Sequence, residues 1–309
     1  MMAGVWSFAK GHGTGNDFVI LPDPTGALRL SARLVAAVCD RRRGIGADGV
    51  LRVVRAAAHP DAAGQDAEWF MDYWNADGSF AEMCGNGVRV YARYLVDTGL
   101  AAAGEFALAT RSGVVAVQVA PDEVAARLTA PRRYGQSSAR IAGDRYSGAQ
   151  VDVGNPHLVC RLVGGLGELA GLDLTTQPEV SEVDFPAGAN VEFIVAAPEV
   201  AAPEAVDCDA HVRMRVYERG SGETLSCGTG ACAVAAVALA DIGRETGTVI
   251  VDVPGGRLRI TVEPDGCWLA GPAVIVATGE FDPAAMGALR SAVTPGRPQA
   301  QAGRPTVTS

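Results

Sequence analysis

Apolar and polar residues alternate at 68–74 and strongly at 211–217, the rhythm of strands packed on one face. Residues 5–21 read as a strand, a glycine turn at 11–16 and a second strand. Ser31 is expected to cap a helix with Leu30, Leu34, Val35 and Val38 on one face, ending near Gly44. A tight loop at 44–49 feeds a strand at 50–54, and 56–65 reads as an exposed connection. A strand at 68–74 and a turn at 75–78 follow. After Cys84, the residues Val88, Tyr91, Ala92 and Leu95 recur at helical spacing until Gly99. Strands are predicted at 105–110, 114–119 and 124–128, and the Arg-, Pro- and Gly-rich stretch 131–136 reads as a crossing between two halves.

The second half repeats the style of the first. Strands are expected at 150–153, 157–162, 191–195 and 211–217, with a short helix near 166–170. Residues 228–240 are apolar nearly all round, which predicts a buried helix. Strands at 249–253, 258–262 and 268–270 complete this half, and 274–277 is expected to pair back with the first. Many short strands with one long helix per half give an α+β class. The halves are drawn as 1–132, completed by about 271–285, and 133–270, with 291–309 as a disordered tail.

Two loop types recur in the same order. Cys84-Gly85-Asn86-Gly87 matches Cys227-Gly228-Thr229-Gly230, and Gly15-Asn16-Asp17-Phe18-Val19-Ile20 matches Gly154-Asn155-Pro156-His157-Leu158-Val159. Asn16 and Asn155 lie 139 residues apart, and the two cysteines 143. Near-equal offsets argue for a duplicated unit facing itself across a cleft. The fold expected is therefore two pseudo-symmetric strand-rich halves, each wrapped around a central helix, with the site between them.

Composition narrows the function. The 309-residue chain, 48% hydrophobic, has room for two cores. A net charge of −9, with no basic run beyond Arg41-Arg42-Arg43, disfavours nucleic acid or an anionic membrane as partner. The start lacks a secretion signal, and the longest apolar run, 231–240, is far short of the roughly 20 residues of a membrane span. A soluble, cytoplasmic protein is expected. Seven cysteines without framework spacing imply reduced thiols, with Cys39, Cys160, Cys208, Cys232 and Cys267 read as core.

A thiol at a helix start sits among unpaired N–H groups and positive dipole potential, which lowers its pKa. Two such starts can hold one carboxylate between them through the N–H groups of residues 85, 86, 228 and 229, with a sulfur on either side. That arrangement suits removal of a proton beside the carboxylate by one sulfur and its return to the opposite face by the other. The sulfurs would then stand ~6–8 Å apart. His157, in the second Gly-Asn loop, is placed to tune a thiol, and Glu218-Arg219 to point into the cleft. Asn16, Asn75, Asn155 and Asn190 read equally well as turn residues.

At these residues the chain resembles the diaminopimelate epimerases. The matching segments include Lys10 to Phe18, Arg43 to Gly49, Asn75 to Ser79, Glu82 to Arg89, Gly154 to His157, Gly188 to Val191 and Arg215 to Cys232. One departure is Gly49, where some members carry glutamine. The resemblance implies interconversion of LL- and meso-2,6-diaminopimelate by Cys84 and Cys227, without cofactor or metal. It assigns the distal end of the substrate to Asn16, Asn75, Asn155, Asn190 and Arg219. Glu218 would meet an ammonium group, and His157 with Glu218 would tune the thiols. Gly85-Asn86 and Gly228-Thr229 would bind the reacting carboxylate. Members are often dimeric.

The residues support the cofactor expectation separately: Lys10 is the one lysine, and a pyridoxal phosphate racemase needs a lysine for its Schiff base. Three other readings compete. A proline racemase-like enzyme shares the two-thiol logic without the distal-end residues. A metal site would draw on Cys227, Cys232 and His157, although this spacing is weak for zinc. A non-catalytic anion-binding module would use the glycine loops alone.

Overall fold

The computed structural model describes residues 4–197 and 208–288, so the tail expected at 291–309 lies outside the described residues. The first repeat runs β1 (Trp6–Gly13), β2 (Asn16–Pro22), α1 (Ala32–Cys39), β3 (Gly49–Arg55), β4 (Trp69–Asn75) and α2 (Gly85–Asp97). It ends with β5 (Gly104–Thr110), β6 (Gly113–Val119) and β7 (Val124–Leu128). After β8 (Arg132–Ile141) the second begins: β9 (Asp144–Asp152), β10 (Pro156–Arg161), α3 (Gly165–Gly171), β11 (Glu179–Val180) and β12 (Asn190–Ala196). β13 (Ala210–Glu218), β14 (Gly222–Thr224), α4 (Gly228–Asp241), β15 (Gly247–Val253), β16 (Gly256–Glu263) and β17 (Gly266–Gly271) continue it. β18 (Val274–Phe281) and α5 (Pro283–Ala288) close the described chain.

The repeats agree in pairing as well as order. β1–β2 is antiparallel, β2–β3 parallel, β3–β4 antiparallel, β4–β5 parallel, and β5–β6 and β6–β7 antiparallel. The same sequence of senses returns in β9–β10, β10–β12, β12–β13, β13–β15, β15–β16 and β16–β17. The strand after each run crosses over: β8 pairs with β9, and β18 returns to β1. β7 and β17 pair with each other, so the ladder is continuous from one repeat to the other.

Each repeat curls around its own helix. α2 is buried among β1, β6 and β7, with Val88, Tyr91, Ala92 and Leu95 in one core with Phe18, Leu51 and Val117. α4 carries no polar stripe because strands surround it. Its residues from Ala231 to Leu239 are buried against Val216, Val249, Ile260 and Leu269. Small side chains (Ala231, Ala233, Ala235, Ala236, Ala238) let that helix thread a narrow barrel. α1 packs on the outside, where Val35 and Val38 meet Val19, Val50 and Phe281, and Ser31 caps it as expected. α3 takes the equivalent place between β10 and β12.

Four expectations need correction. Residues 131–136 are not a loose crossing: Arg132 opens a ten-residue strand, whose largely exposed outer positions carry no apolar alternation. β9 likewise starts at Asp144 rather than near 150, because its first residues lie in an exposed hairpin. The stretch 56–65 holds two short 3-10 turns, Ala56–Ala58 and Pro60–Ala62, with Ala56 and Ala62 buried. Cys208, expected in the core, is only half-buried. At Gly49 a Cβ would stand 2.5 Å from the Trp74 carbonyl oxygen and 2.6 Å from the Tyr73 ring, so the departure there goes with a close backbone approach.

The halves also touch through turns. A Cβ on Gly255 would lie 1.7 Å from the Thr14 carbonyl oxygen, so the second half's hairpin sits directly on the first half's β1–β2 turn. Gly255→Ala is expected to destabilise by about 2–3 kcal/mol, lowering Tm by roughly 3–5 °C. An unchanged melting curve would show that this contact gives way freely.

Candidate active site

Cys84 and Cys227 are the N-caps of α2 and α4. Both have extended backbone, at φ −146° and −115°, and each sulfur accepts a 3.4 Å hydrogen bond from the N–H three residues on, at Gly87 and Gly230. The cap position leaves the first-turn N–H groups pointing out of the helix toward the thiol. The two helix starts abut. A Cβ on Gly228 would sit 3.6 Å from the Cα of Gly85 and 3.9 Å from the backbone nitrogen of Asn86. Any side chain at 85 or 228 would also strike Leu269, so glycine permits this approach.

Side chains stitch the junction together. Asn86 donates from Nδ2 to the Ser226 carbonyl at 3.1 Å and to Asn16 Oδ1 at 3.4 Å, and the Cys84 thiol donates to the same Asn16 oxygen at 3.6 Å. Asn16 in turn gives an Nδ2–H to Asp48, which Arg41 holds. Thr14, buried at φ +48°, donates across the halves to Ser226 Oγ at 2.7 Å. On the other side Cys227 meets Thr229 Oγ1 at 3.5 Å. His157 is fully buried, with Nδ1 2.7 Å from Glu192 Oε1 and Nε2 3.0 Å from Asn155 Oδ1. A Cβ on Gly230 would lie 2.6 Å from that Glu192 oxygen, so the carboxylate stands against the start of α4. Glu218 accepts from the Thr224 hydroxyl.

The remaining residues gather less tightly. Asn190 accepts the Arg219 N–H at 2.9 Å, and the exposed Arg219 guanidinium donates to the Ala187 carbonyl. Asn75 gives its amide to Ser79 in its own turn. Lys10 is engaged by Asp17 at 2.6 Å and by the Gly46 carbonyl. Cys232 is fully buried beside Cys267. No group of three or more potential metal ligands occurs among the described residues.

The family profile for diaminopimelate epimerase matches residues 8–133 and 149–282. The chain is 50% identical over 307 residues to a diaminopimelate epimerase of Acidothermus cellulolyticus, covering 90% of this chain and 97% of that one. It is 51% identical over 290 residues to one of Streptomyces coelicolor, covering 90% and 96%. The chain belongs to the diaminopimelate epimerase family. Among solved structures it resembles a phenazine biosynthesis protein of the PhzF family from Enterococcus faecalis, with TM-score 0.63, 12% identity and coverage of 90% and 99%. A probable proline racemase from Agrobacterium radiobacter K84 gives TM-score 0.61, 16% identity and coverage of 92% and 96%. The expected α+β fold of two strand-rich halves is thus shared by this wider group.

Within this family member the two thiols are electrostatically unequal. Burial pushes Cys84 up to about 11, opposed by the hydrogen bond from the Gly87 N–H and assisted by Glu218. Burial also raises Cys227 well above the usual thiol range, and both Glu218 and Glu192 add to the shift. Burial and two carboxylates thus favour the protonated form of Cys227, while Cys84 feels one carboxylate, Glu218, and the opposing charge of Arg89. Desolvation overrides the lowering expected from a helix start. Glu218 is itself raised, by burial first, against the hydrogen bond from Thr224.

Sequence reasoning overlooked Glu192, Thr14, Ser226 and Arg89. Glu192 lies on a strand of uninterrupted burial, where alternation gives no inward or outward cue. Thr14 and Ser226 flank recognised motifs but gain their partners only when the halves meet. Alkylation by iodoacetamide with peptide mapping is expected to label half-exposed Cys84 before Cys227. Its rate should climb about tenfold per pH unit between roughly pH 8 and 10, below the raised pKa. A plateau near pH 8, or Cys227 labelled first, would contradict the asymmetry.

Proposed function

We propose that the protein interconverts LL- and meso-2,6-diaminopimelate, using Cys84 and Cys227 as its base and acid. The observation that carries this reading is the pair of thiols capping two helix starts that abut at Gly85 and Gly228. A substrate carboxylate bound at that junction would accept hydrogen bonds from the N–H groups of Gly85, Asn86, Gly228 and Thr229. Its α-carbon would then lie between the sulfurs. In one direction the Cys84 thiolate takes the α-proton and the Cys227 thiol delivers its own proton to the opposite face. The reverse reaction exchanges the roles. Negative charge grows on the carboxylate as the proton leaves, where each N–H donor is worth about 3–4 kcal/mol.

The distal end of the substrate is assigned to Asn16, Asn75, Asn155, Asn190 and Arg219, with Glu218 facing an ammonium group. His157 and Glu218 tune the thiols. Burial of His157 against Glu192 supports a fixed ring rather than a mobile one. No cofactor or metal has a part in this scheme. The halves that close on the substrate are taken as 1–132 with 271–285, and 133–270, on the strength of the exchanged strands β8 and β18. The cytoplasm is the assigned compartment; no helix among the described residues is long and apolar enough to cross a membrane.

Incubation with LL-diaminopimelate in deuterated water, without added cofactor, is expected to give meso product labelled at one α-carbon. Cys84→Ser and Cys227→Ser should each lower kcat by about 10²–10⁴-fold. Exchange with proline but not with diaminopimelate would favour the racemase reading instead.

We assign the working form as a homodimer. Light scattering should return twice the chain mass of 31.8 kDa. A monomer at micromolar concentration would reject the assignment.

A further inference from the structure

Arg89 is a charged residue in an improbable place. It lies on α2, one turn past Cys84, and its side chain is fully buried. Nη1 donates to the Gly85 carbonyl at 3.3 Å, and Nη2 donates to Asn86 Oδ1 at 3.0 Å and Thr14 Oγ1 at 3.4 Å. Nε has no partner. Every hydrogen bond it makes goes to a neutral oxygen, and among the described residues no carboxylate pairs with it. Backbone from both halves closes around the guanidinium: a Cβ on Gly13 would lie 3.2 Å from Nη2, and one on Gly271 3.7 Å.

A buried cation ordinarily needs a paired anion, because desolvation is costly. Here the surroundings make matters worse. The guanidinium sits behind two helix starts, whose dipoles already concentrate positive potential and disfavour a cation. The titratable groups facing it are thiols, Cys84 from the start of its own helix and Cys232 from α4. Cys84 is faced in turn by Glu218 from β13 and Tyr73 from β4. Burial pulls Arg89 down to about 10, which leaves it charged at neutral pH. Three sources of positive potential meet here; Glu192 stands against the start of α4 and Glu218 faces both thiols, but among the described residues no carboxylate pairs with the guanidinium itself.

We propose that Arg89 is the built-in counter-charge of the anion site. It offsets the carboxylate held between the helix starts, and the Cys84 thiolate, by acting through Gly85 and Asn86. Arg89 is thus a positioning residue that touches neither substrate nor reacting atoms. This rests on the carboxylate-binding reading of the helix junction given above. The competing account is a neutral bracket: the same hydrogen bonds would merely lock the first turn of α2 to the β1–β2 turn, and the charge would be incidental.

The test uses full-length Arg89→Met and Arg89→Lys, each checked for folding by circular dichroism and gel filtration. Cys84 alkylation by iodoacetamide at pH 9 is read with no substrate present, so it is independent of the assigned epimerase activity. In R89M that rate is expected to fall at least tenfold, and kcat/KM for diaminopimelate at least 100-fold. R89K, which keeps the charge but loses the planar fork, should alkylate within threefold of wild type and retain kcat/KM within tenfold. A folded R89M with wild-type alkylation overturns the proposal, as does an R89K as impaired in turnover as R89M. Should R89M fail to fold, R89K decides: wild-type alkylation with turnover reduced more than 100-fold would mark a bracket and reject the charge. Loss of diaminopimelate turnover in the wild type would reject the functional assignment while leaving the alkylation comparison intact.

Discussion

The meeting of two helix N-termini is the constraint on which this molecule is built. α2 and α4 approach until Gly85 and Gly228 are nearly in contact, and a side chain larger than hydrogen at either position would collide with Leu269. Helix starts repel one another electrostatically, since both expose N–H groups and positive potential. Their approach is held by neutral hydrogen bonds across the junction, from Asn86 to the Ser226 carbonyl and from Thr14 to the Ser226 hydroxyl. Brought together in this way, the two helix starts gather their first-turn N–H groups at one junction, with a capping sulfur beside each.

The strand exchange explains how such a repulsive contact survives. β8 leaves the first repeat to pair with β9, β18 leaves the second to pair with β1, and β7 bonds directly to β17. The halves cannot drift apart without breaking sheet hydrogen bonds. Equivalence of the backbones does not extend to the charges. Glu218 faces both thiols, but Arg89 stands behind Cys84 and Glu192 adds its charge beside Cys227. The duplicated scaffold thereby surrounds its two thiols with unequal charge.

Much of this was legible beforehand because duplication writes itself into spacing. The cysteine-glycine loops and the Gly-Asn loops announced two copies, and the near-uniform apolar run after Cys227 announced a helix surrounded on all sides. The exposed hairpin of β8 and β9 stayed hidden, because solvated strands need no apolar alternation and Arg, Gly and Ser there resemble a linker. Asn75 and Arg219 were recognised by motif, yet their hydrogen bonds run to their own turns and to Asn190.

The amino-acid order alone determined where the thiols cap their helices, since a cap depends on a few consecutive residues and their local backbone. It also determined the repeat, the apolar helices and the scarcity of lysine. Only the tertiary structure decided how those thiols are charged. Glu192 lies 35 residues from His157 along the chain, and Thr14 lies 212 from Ser226. Burial and the attraction or repulsion between charges depend on distance in space, so the raised pKa of each sulfur and the isolation of Arg89 came into being only when the two halves closed on one another.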